Sequence, residues 1–362
     1  MHRVVWITVR KSDHRQHQAG FSLLELMIAL TVGLLLLSGL LTLFNSTKQT
    51  YQWNTQLARL QENGRLAMEL LTREIRHTGY WGCTGQSTLN NLLVTPNNLS
   101  WLTIERIHGY DHLQPGSLPS ALQGLAVPGN DVIVLSGMDF SQRTLASHDA
   151  CAAQFTLAQT HDLQANELVA LSDCQQTVLL QITQANGSNR TLNHAASGGS
   201  IGNRSDCLGG DCSGSCASSW YQFAPGTPLA PLRSIAFFVG NSANGEPALF
   251  WQLLNRSDTP SRNELVEGVE NMQILYGFDS DGDRVANQYL RADQVDSANG
   301  WNNIVSVRIA LLLRSADHMR SQVDDKSYTL ADTRIAPDTP LASHPADNRH
   351  RLVATSTIQL RD

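Results

Sequence analysis

Between Glu25 and Lys48 the chain has no Asp, Glu, Lys, Arg or His. A surface helix of a globular domain needs a polar face, so an uncharged run of this length is not one. A helix from Phe21 to Phe44 would be roughly 36 Å long at 1.5 Å per residue, enough to cross a hydrocarbon core of roughly 30 Å with some tilt. Proline is missing before Pro96, so no residue lacking a backbone donor interrupts a helix begun at Phe21. Lysine is scarce, at positions 11, 48 and 326 only. Cysteine is absent before Cys83 and never occurs as Cys-x-x-Cys, which excludes the usual zinc-finger spacings. There is no His-Glu-x-x-His and no phosphate-cradling glycine loop. Ser, His and Asp are plentiful, but a triad is defined by geometry rather than composition. The chain is therefore read as not an enzyme.

What is present is unevenly placed. The 362 residues, 41% hydrophobic and 16% charged, allow two domains or one large one. Arg3, Arg10, Lys11 and Arg15 against Asp13 put +3 in residues 1–20, so the formal −6 of the whole leaves −9 for the rest. A basic segment before an apolar span stays cytoplasmic, which predicts export of everything after it. An acidic exported body lacks the clustered cations that phosphate contacts require, so nucleic acid is not a partner.

The six cysteines, Cys83, Cys151, Cys174, Cys207, Cys212 and Cys216, all follow the apolar run. An even number on the exported side suits disulfides in an oxidising compartment. Six cysteines allow 15 pairings. Proximity favours Cys151–Cys174, and two of Cys207, Cys212 and Cys216 together.

From 45 to 78 the helix is predicted to continue but become amphipathic. Trp53, Leu57, Leu60, Gly64, Ala67, Leu71, Ile75 and Thr78 fall at three- and four-residue steps, with Arg59, Glu62, Arg65, Glu69, Arg73 and Arg76 mainly off that stripe. An exposed apolar stripe of this length would promote association, so burial under a head is expected. The head, 79–362, reads as short β-rich runs: 131–135, 167–171, 177–182, 234–239, 248–254, 269–278, 304–313 and 352–360. Residues 241–245 read as a hairpin connection. Helical patterns between the strands are scarce, so the class is α+β with an antiparallel sheet. Two stretches stand apart: 195–219, rich in Gly, Ser and Cys, and 315–350, polar and read as a surface excursion.

Gly20-Phe-Ser-Leu-Leu-Glu-Leu-Met-Ile-Ala-Leu30 closely resembles the class III signal of type IV pilins and pseudopilins. The resemblance implies a leader over residues 1–20, cleavage between Gly20 and Phe21 by a prepilin peptidase, and N-methylation of Phe21. It also implies that Glu25 pairs with the terminal amine of a neighbouring subunit during assembly, and that 21–44 is the membrane-spanning half of the helix. The apolar Val4–Val9 inside the leader departs from the family's short polar leaders. Glu62-Asn-Gly-Arg65, Glu74-Ile-Arg76 with Gly79-Tyr-Trp-Gly-Cys83, Glu267–Gly277 and the closing Leu360-Arg361 resemble the PilW group of minor pilins. That resemblance implies a pilin-like fold, a long helix on a large β-rich head. It implies a role in priming type IV pilus assembly and in a tip complex with other minor pilins and a large pilus-tip adhesin. The major pilin and the inner-membrane assembly platform are further implied partners. The implied location is the inner membrane of a Gram-negative bacterium, N-terminus cytoplasmic and head periplasmic, and then the pilus tip. A J-type minor pseudopilin of type II secretion, and a membrane-tethered periplasmic enzyme or binding protein, are the alternatives.

One local cluster suggests a metal. Asp279, Asp281 and Asp283 alternate as Ca2+ ligands do in a tight loop, with Asn287 ninth and Asp293 as a further oxygen. Arg284 and Leu290 stand where an EF-hand has its Gly and Glu. An Asp/Gly-rich turn without an ion is the alternative. No other cofactor is expected.

Overall fold

The computed structural model describes residues 22–82, 88–94, 105–111, 118–119, 122–197, 201–254, 262–318 and 322–361. Gly20, Phe21, the leader, Cys83 and Trp101 lie outside the described residues. The chain divides into two compact units, Met1–Thr55 and Gln56–Asp362.

In the first unit the described chain is almost wholly helix, the opening part of α1 (Leu23–His77). From Ser22 to Gln52 every residue is exposed, among them Leu23, Leu26, Leu30, Leu34, Leu37, Leu41 and Phe44. The most apolar window of this helix has a mean hydropathy of 2.4 and no buried residue. It is long and apolar enough to cross a membrane.

The second unit begins with the amphipathic part of α1. Leu60, Gly64, Ala67, Leu71 and Ile75 are the helix's buried residues, and they are the stripe that the three- and four-residue spacing marked. Gly64 allows close approach, since a Cβ there would already touch Leu313 and Ala354. The helix stops at Gly79, whose φ of +73° only glycine adopts cheaply and whose N–H bonds to Ser136.

The strands follow in chain order. They are β1 (Thr88–Asn91), β2 (Ile107–Tyr110), β3 (Val132–Met138), β4 (Arg143–Asp149), β5 (Gln154–Leu157) and β6 (Leu168–Ser172). Next come β7 (Gln176–Gln181), β8 (Gln184–Asn186), β9 (Thr191–Asn193), β10 (Pro228–Asn241), β11 (Pro247–Leu253), β12 (Arg262–Glu267) and β13 (Val269–Phe278). Last are β14 (Gln288–Leu290), the short α2 (Ala292–Ser297), β15 (Ile304–Arg314), β16 (Tyr328–Leu330), β17 (Thr333–Ile335) and β18 (Arg351–Gln359).

One extended sheet runs β1-β7-β6-β10-β4-β5-β9-β8, with β3 and β11 also on β10 and with β2 and β12 outside them. Pairing is antiparallel except for β1 on β7. The 14-residue β10 is the seam: Pro228–Pro231 pair with β4 and β6, and Leu232–Asn241 with β3 and β11. Strands β4 to β9 thus form a lobe with its own core of Leu145, Phe155, Val169, Val178, Leu192 and Phe223.

A second sheet, β14-β13-β15-β18, takes α1 on one face. Its opposite face meets Leu330, Ile335 and Ala342, which pack on Ala310 and Leu312. The stretch 315–350, expected on the surface, is therefore partly built into the core, with Asp324 and His344 buried. Buried charge makes this possible: Arg351, fully buried, bonds Glu270 at 2.6 Å and Asp347 at 2.8 Å and reaches Asp324 at 3.3 Å. Arg314 joins Glu270 to Glu246, which also takes Arg349. Burial by itself lowers the Arg351 guanidinium, but its bonds to Glu270 and Asp347 carry it above the ordinary arginine range.

Candidate functional site

The start of α1 is built by the sequence Ser22-Leu-Leu-Glu25. The Glu25 N–H donates to Ser22 Oγ at 3.1 Å, and the Ser22 N–H donates to Glu25 Oε2 at 3.3 Å. This is a reciprocal capping box, which satisfies two of the N–H groups a helix start leaves without partners. Glu25 therefore has local work besides any intermolecular one, and its negative charge also sits at the positive end of the helix dipole. Ser22 escaped the sequence reading, although Ser-x-x-Glu before an apolar run is itself the signal. Farther along, Thr31 donates to Ile28 O, Ser38 to Leu35 O and Thr42 to Ser38 O, at 2.8–2.9 Å. These hydroxyls are satisfied within the helix, as a lipid-facing segment requires. A Cβ at Gly33 or Gly39 would meet nothing within 4 Å, so their helix surface is bare.

Asp279, Asp281 and Asp283 do converge, with one carboxylate oxygen of each within 4.8 Å of the others. All three are occupied within the turn. Asp279 is buried and accepts the N–H groups of Asp281, Gly282 and Arg284. Asp281 accepts the Asn287 side chain, and Asp283 accepts Val285 N–H. Burial works against ionising Asp279, but the backbone donors, led by Arg284, hold its carboxyl below the ordinary range. Gly282, at φ +82°, and Arg284, at φ +68°, give the turn its left-handed steps. Asn287 donates its N–H to Phe278 O and its side-chain oxygen accepts from Ser280, while Asp293 lies beside Arg291 at 3.6 Å.

Cys151 pairs with Cys216, and Cys207 with Cys212. Cys174 is also disulfide-bonded, but not to Cys151. The expected Cys151–Cys174 bond fails because proximity in sequence is not proximity across strands. Cys151 sits on the β4–β5 turn, where Cys216 of the Gly/Ser/Cys stretch meets it, whereas Cys174 sits on the β6–β7 turn. Inside the lobe His148 and His194 form a buried pair, Nε2 to Nε2 at 3.3 Å, packed on Phe155. Phe223 N–H donates to His148 Nδ1, so neutral His148 carries its proton on Nε2 and points it at His194.

The buried titratable groups serve the fold. Asp131 accepts Ile274 N–H at 2.7 Å, tying β3 to β13, and burial pushes its carboxyl well up. Gly198–Gly202 spells Gly-x-Ser-x-Gly. Residues 198–200 lie outside the described residues, and no helix follows before β10 among those described. The helix that follows the nucleophile in such an elbow is thus not found among the described residues.

Two family comparisons match the chain. The prokaryotic N-terminal methylation motif covers residues 15–41, which includes the capped start of α1. That match, a long apolar helix and β-rich sheets define a prepilin-type chain with a pilin-like α+β architecture. The Type IV pilus-assembly protein W family covers residues 236–362, from the end of β10 through β18. Over these two stretches the chain is similar to type IV pilus-assembly proteins of the PilW family and carries a prepilin-type methylation motif. No curated protein and no solved structure matches it.

Proposed function

We propose that this protein is a non-catalytic minor pilin that helps to prime type IV pilus assembly and forms part of the pilus-tip complex. The observation that carries the reading is the wholly exposed apolar helix after Ser22, which has no partner among the described residues. In the membrane, lipid covers it; in a fibre, the helices of neighbouring subunits do. Cleavage between Gly20 and Phe21 leaves that helix on the mature chain, and methylation of Phe21 follows. Glu25 then meets the terminal amine of an adjacent subunit, a pair that is strong in low dielectric only when its geometry is good. The head remains on the periplasmic side of the inner membrane until the subunit enters the fibre. There its partners are other minor pilins, a large pilus-tip adhesin and the major pilin, with prepilin peptidase and the inner-membrane platform acting earlier.

The capping box supplies a sharp test. Glu25→Gln keeps a side chain that closes the box but removes the charge, whereas Glu25→Ala removes both. Both variants are expected to insert and to be cleaved, with mass spectrometry finding a methylated Phe21 start, and both to enter fibres poorly. Normal fibre entry of Glu25→Gln would show that Glu25 acts only as a cap. An intact Met1 start in the membrane form would overturn the pilin reading altogether.

A further inference from the structure

Most sheet edges in the second unit are blunted. Among the described residues β1 and β2 have four residues, β8 and β14 have three, and β12 is broken by a register shift opposite Leu249/Phe250. Short or bulged edges are the usual protection against unwanted pairing. β18 is the exception. It runs nine residues, Arg351–Gln359, and pairs with β15 residue for residue without a shift. It holds no proline and no lysine, and it stands last in its sheet.

Its two faces say what would pair there. Leu352, Ala354 and Ser356 lie on the α1 side and are only half-buried, although Leu352 and Ala354 pack against the main core. On the other face Thr355, Thr357 and Gln359 are exposed. A strand added beyond β18 would extend the core over the margins of Leu352 and Ala354 while lining up polar groups beside Thr355 and Thr357. Cross-strand pairs of that kind stabilise a sheet.

We propose that β18 is a docking strand that receives an extended segment of a different polypeptide, apolar at every second residue, as a fifth strand of this sheet. A second copy of the chain is the wrong occupant for a geometric reason. Two identical edges pairing antiparallel are related by a two-fold axis perpendicular to the sheet. That axis reverses any helix lying flat on the sheet, as α1 does at Gly64 against Leu313 and Ala354. Copies inserted in one membrane by the same helix must instead run parallel. The inference deepens the proposed role by naming a surface and a partner chemistry, strand addition.

The test is site-specific photo-crosslinking in the full-length protein, in cells that assemble fibres, with a photoreactive residue at Thr355, Thr357 or Gln359 in turn. The expected products join the three positions to residues two apart in one continuous segment of another polypeptide. In a second arm, Ser356→Pro and Thr357→Pro are each combined with the probe at Gln359. Neighbouring residues of an edge strand direct their N–H groups to opposite sides. One proline therefore removes an outward donor and leaves the melting temperature nearly unchanged, while the other breaks a bond to β15 and lowers it. The variant that melts normally is expected to lose most of its crosslinking. Absence of crosslinks, attachment to scattered residues, attachment to β18 of another copy, or full crosslinking in the normally melting proline variant would each overturn the docking strand. Membrane insertion and cleavage at Gly20 in every variant keep that failure distinct from failure of the pilin reading.

Discussion

The family-matched sheet and the lobe before it are both β-rich, but they are secured by different chemistry. In the sheet of β13, β15 and β18, guanidinium–carboxylate contacts draw 315–350 onto the sheet: Arg351 with Glu270, Asp324 and Asp347, and Arg314 with Glu270 and Glu246. In the lobe of β4 to β9, disulfides fasten a Gly/Ser/Cys stretch, and the buried polar pair His148–His194 is held neutral. The contrast teaches that one head can use charge where two core layers already exclude water. It uses covalent bonds where a loop has too little apolar surface to hold itself.

The largest expected effect comes from unbalancing the charged side of the comparison. Arg351→Ala removes the buried cation that Glu270, Asp324 and Asp347 share and should cost about 3–5 kcal/mol, read by chemical denaturation. Amide exchange should rise over β16, β17 and β18 but not over β4 to β9.

Acid should act on the other side. Burial holds His148 down to about 4, with Asp149 opposing; burial and then His148 hold His194 down to about 3. Both fall below the ordinary value of 6.5, so the unfolded lobe takes up protons first. The stabilisation is therefore complete above about pH 6.5 and is lost as pH falls toward 4 and 3. At about 1.4 kcal/mol per unit, the loss reaches several kcal/mol. Exchange in β4, β5 and β9 should accelerate over that window while β13 and β15 stay protected.

Removing Cys151–Cys216 with a double Ser variant should lower lobe stability by about 2–4 kcal/mol. Reductant should have the same regional effect, and a uniform loss across both regions would abolish the distinction.

A smaller change tests the acidic turn. Asp279→Ala removes the acceptor of three backbone N–H groups and should cost about 1–3 kcal/mol. An equal loss in melting temperature with Ca2+ and with chelator marks the carboxylate as a turn cap, and a Ca2+-dependent gap marks a metal ligand. The smallest effect is expected at the helix start, where Ser22→Ala should cost about 1 kcal/mol of local stability and leave both β regions unchanged.

Much of this was legible in the residues. The α1 stripe and the strands around Val132, Leu168, Val178, Phe237, Phe250, Ile274, Leu311 and Thr355 announce themselves because periodicity and long β-branched runs are local signals. Short strands such as β2, β8, β9 and β14 carry no such run and exist only because a neighbour offers hydrogen bonds. For the candidate site, Glu25 and the Asp279 trio stood out as charges in unusual company, whereas Ser22 was hidden by being ordinary.

By itself, then, the sequence determined a long helix that is bare for one stretch and striped for the next, a β-rich head, and the signal at Gly20–Glu25. Only the tertiary structure decided that Cys151 meets Cys216, that β10 bridges lobe and body, that Arg351 buries its charge among carboxylates, and that β18 stands last in its sheet among the described strands. Those outcomes depend on which distant segments share a sheet, and pairing across long loops is written in contacts that no local pattern records.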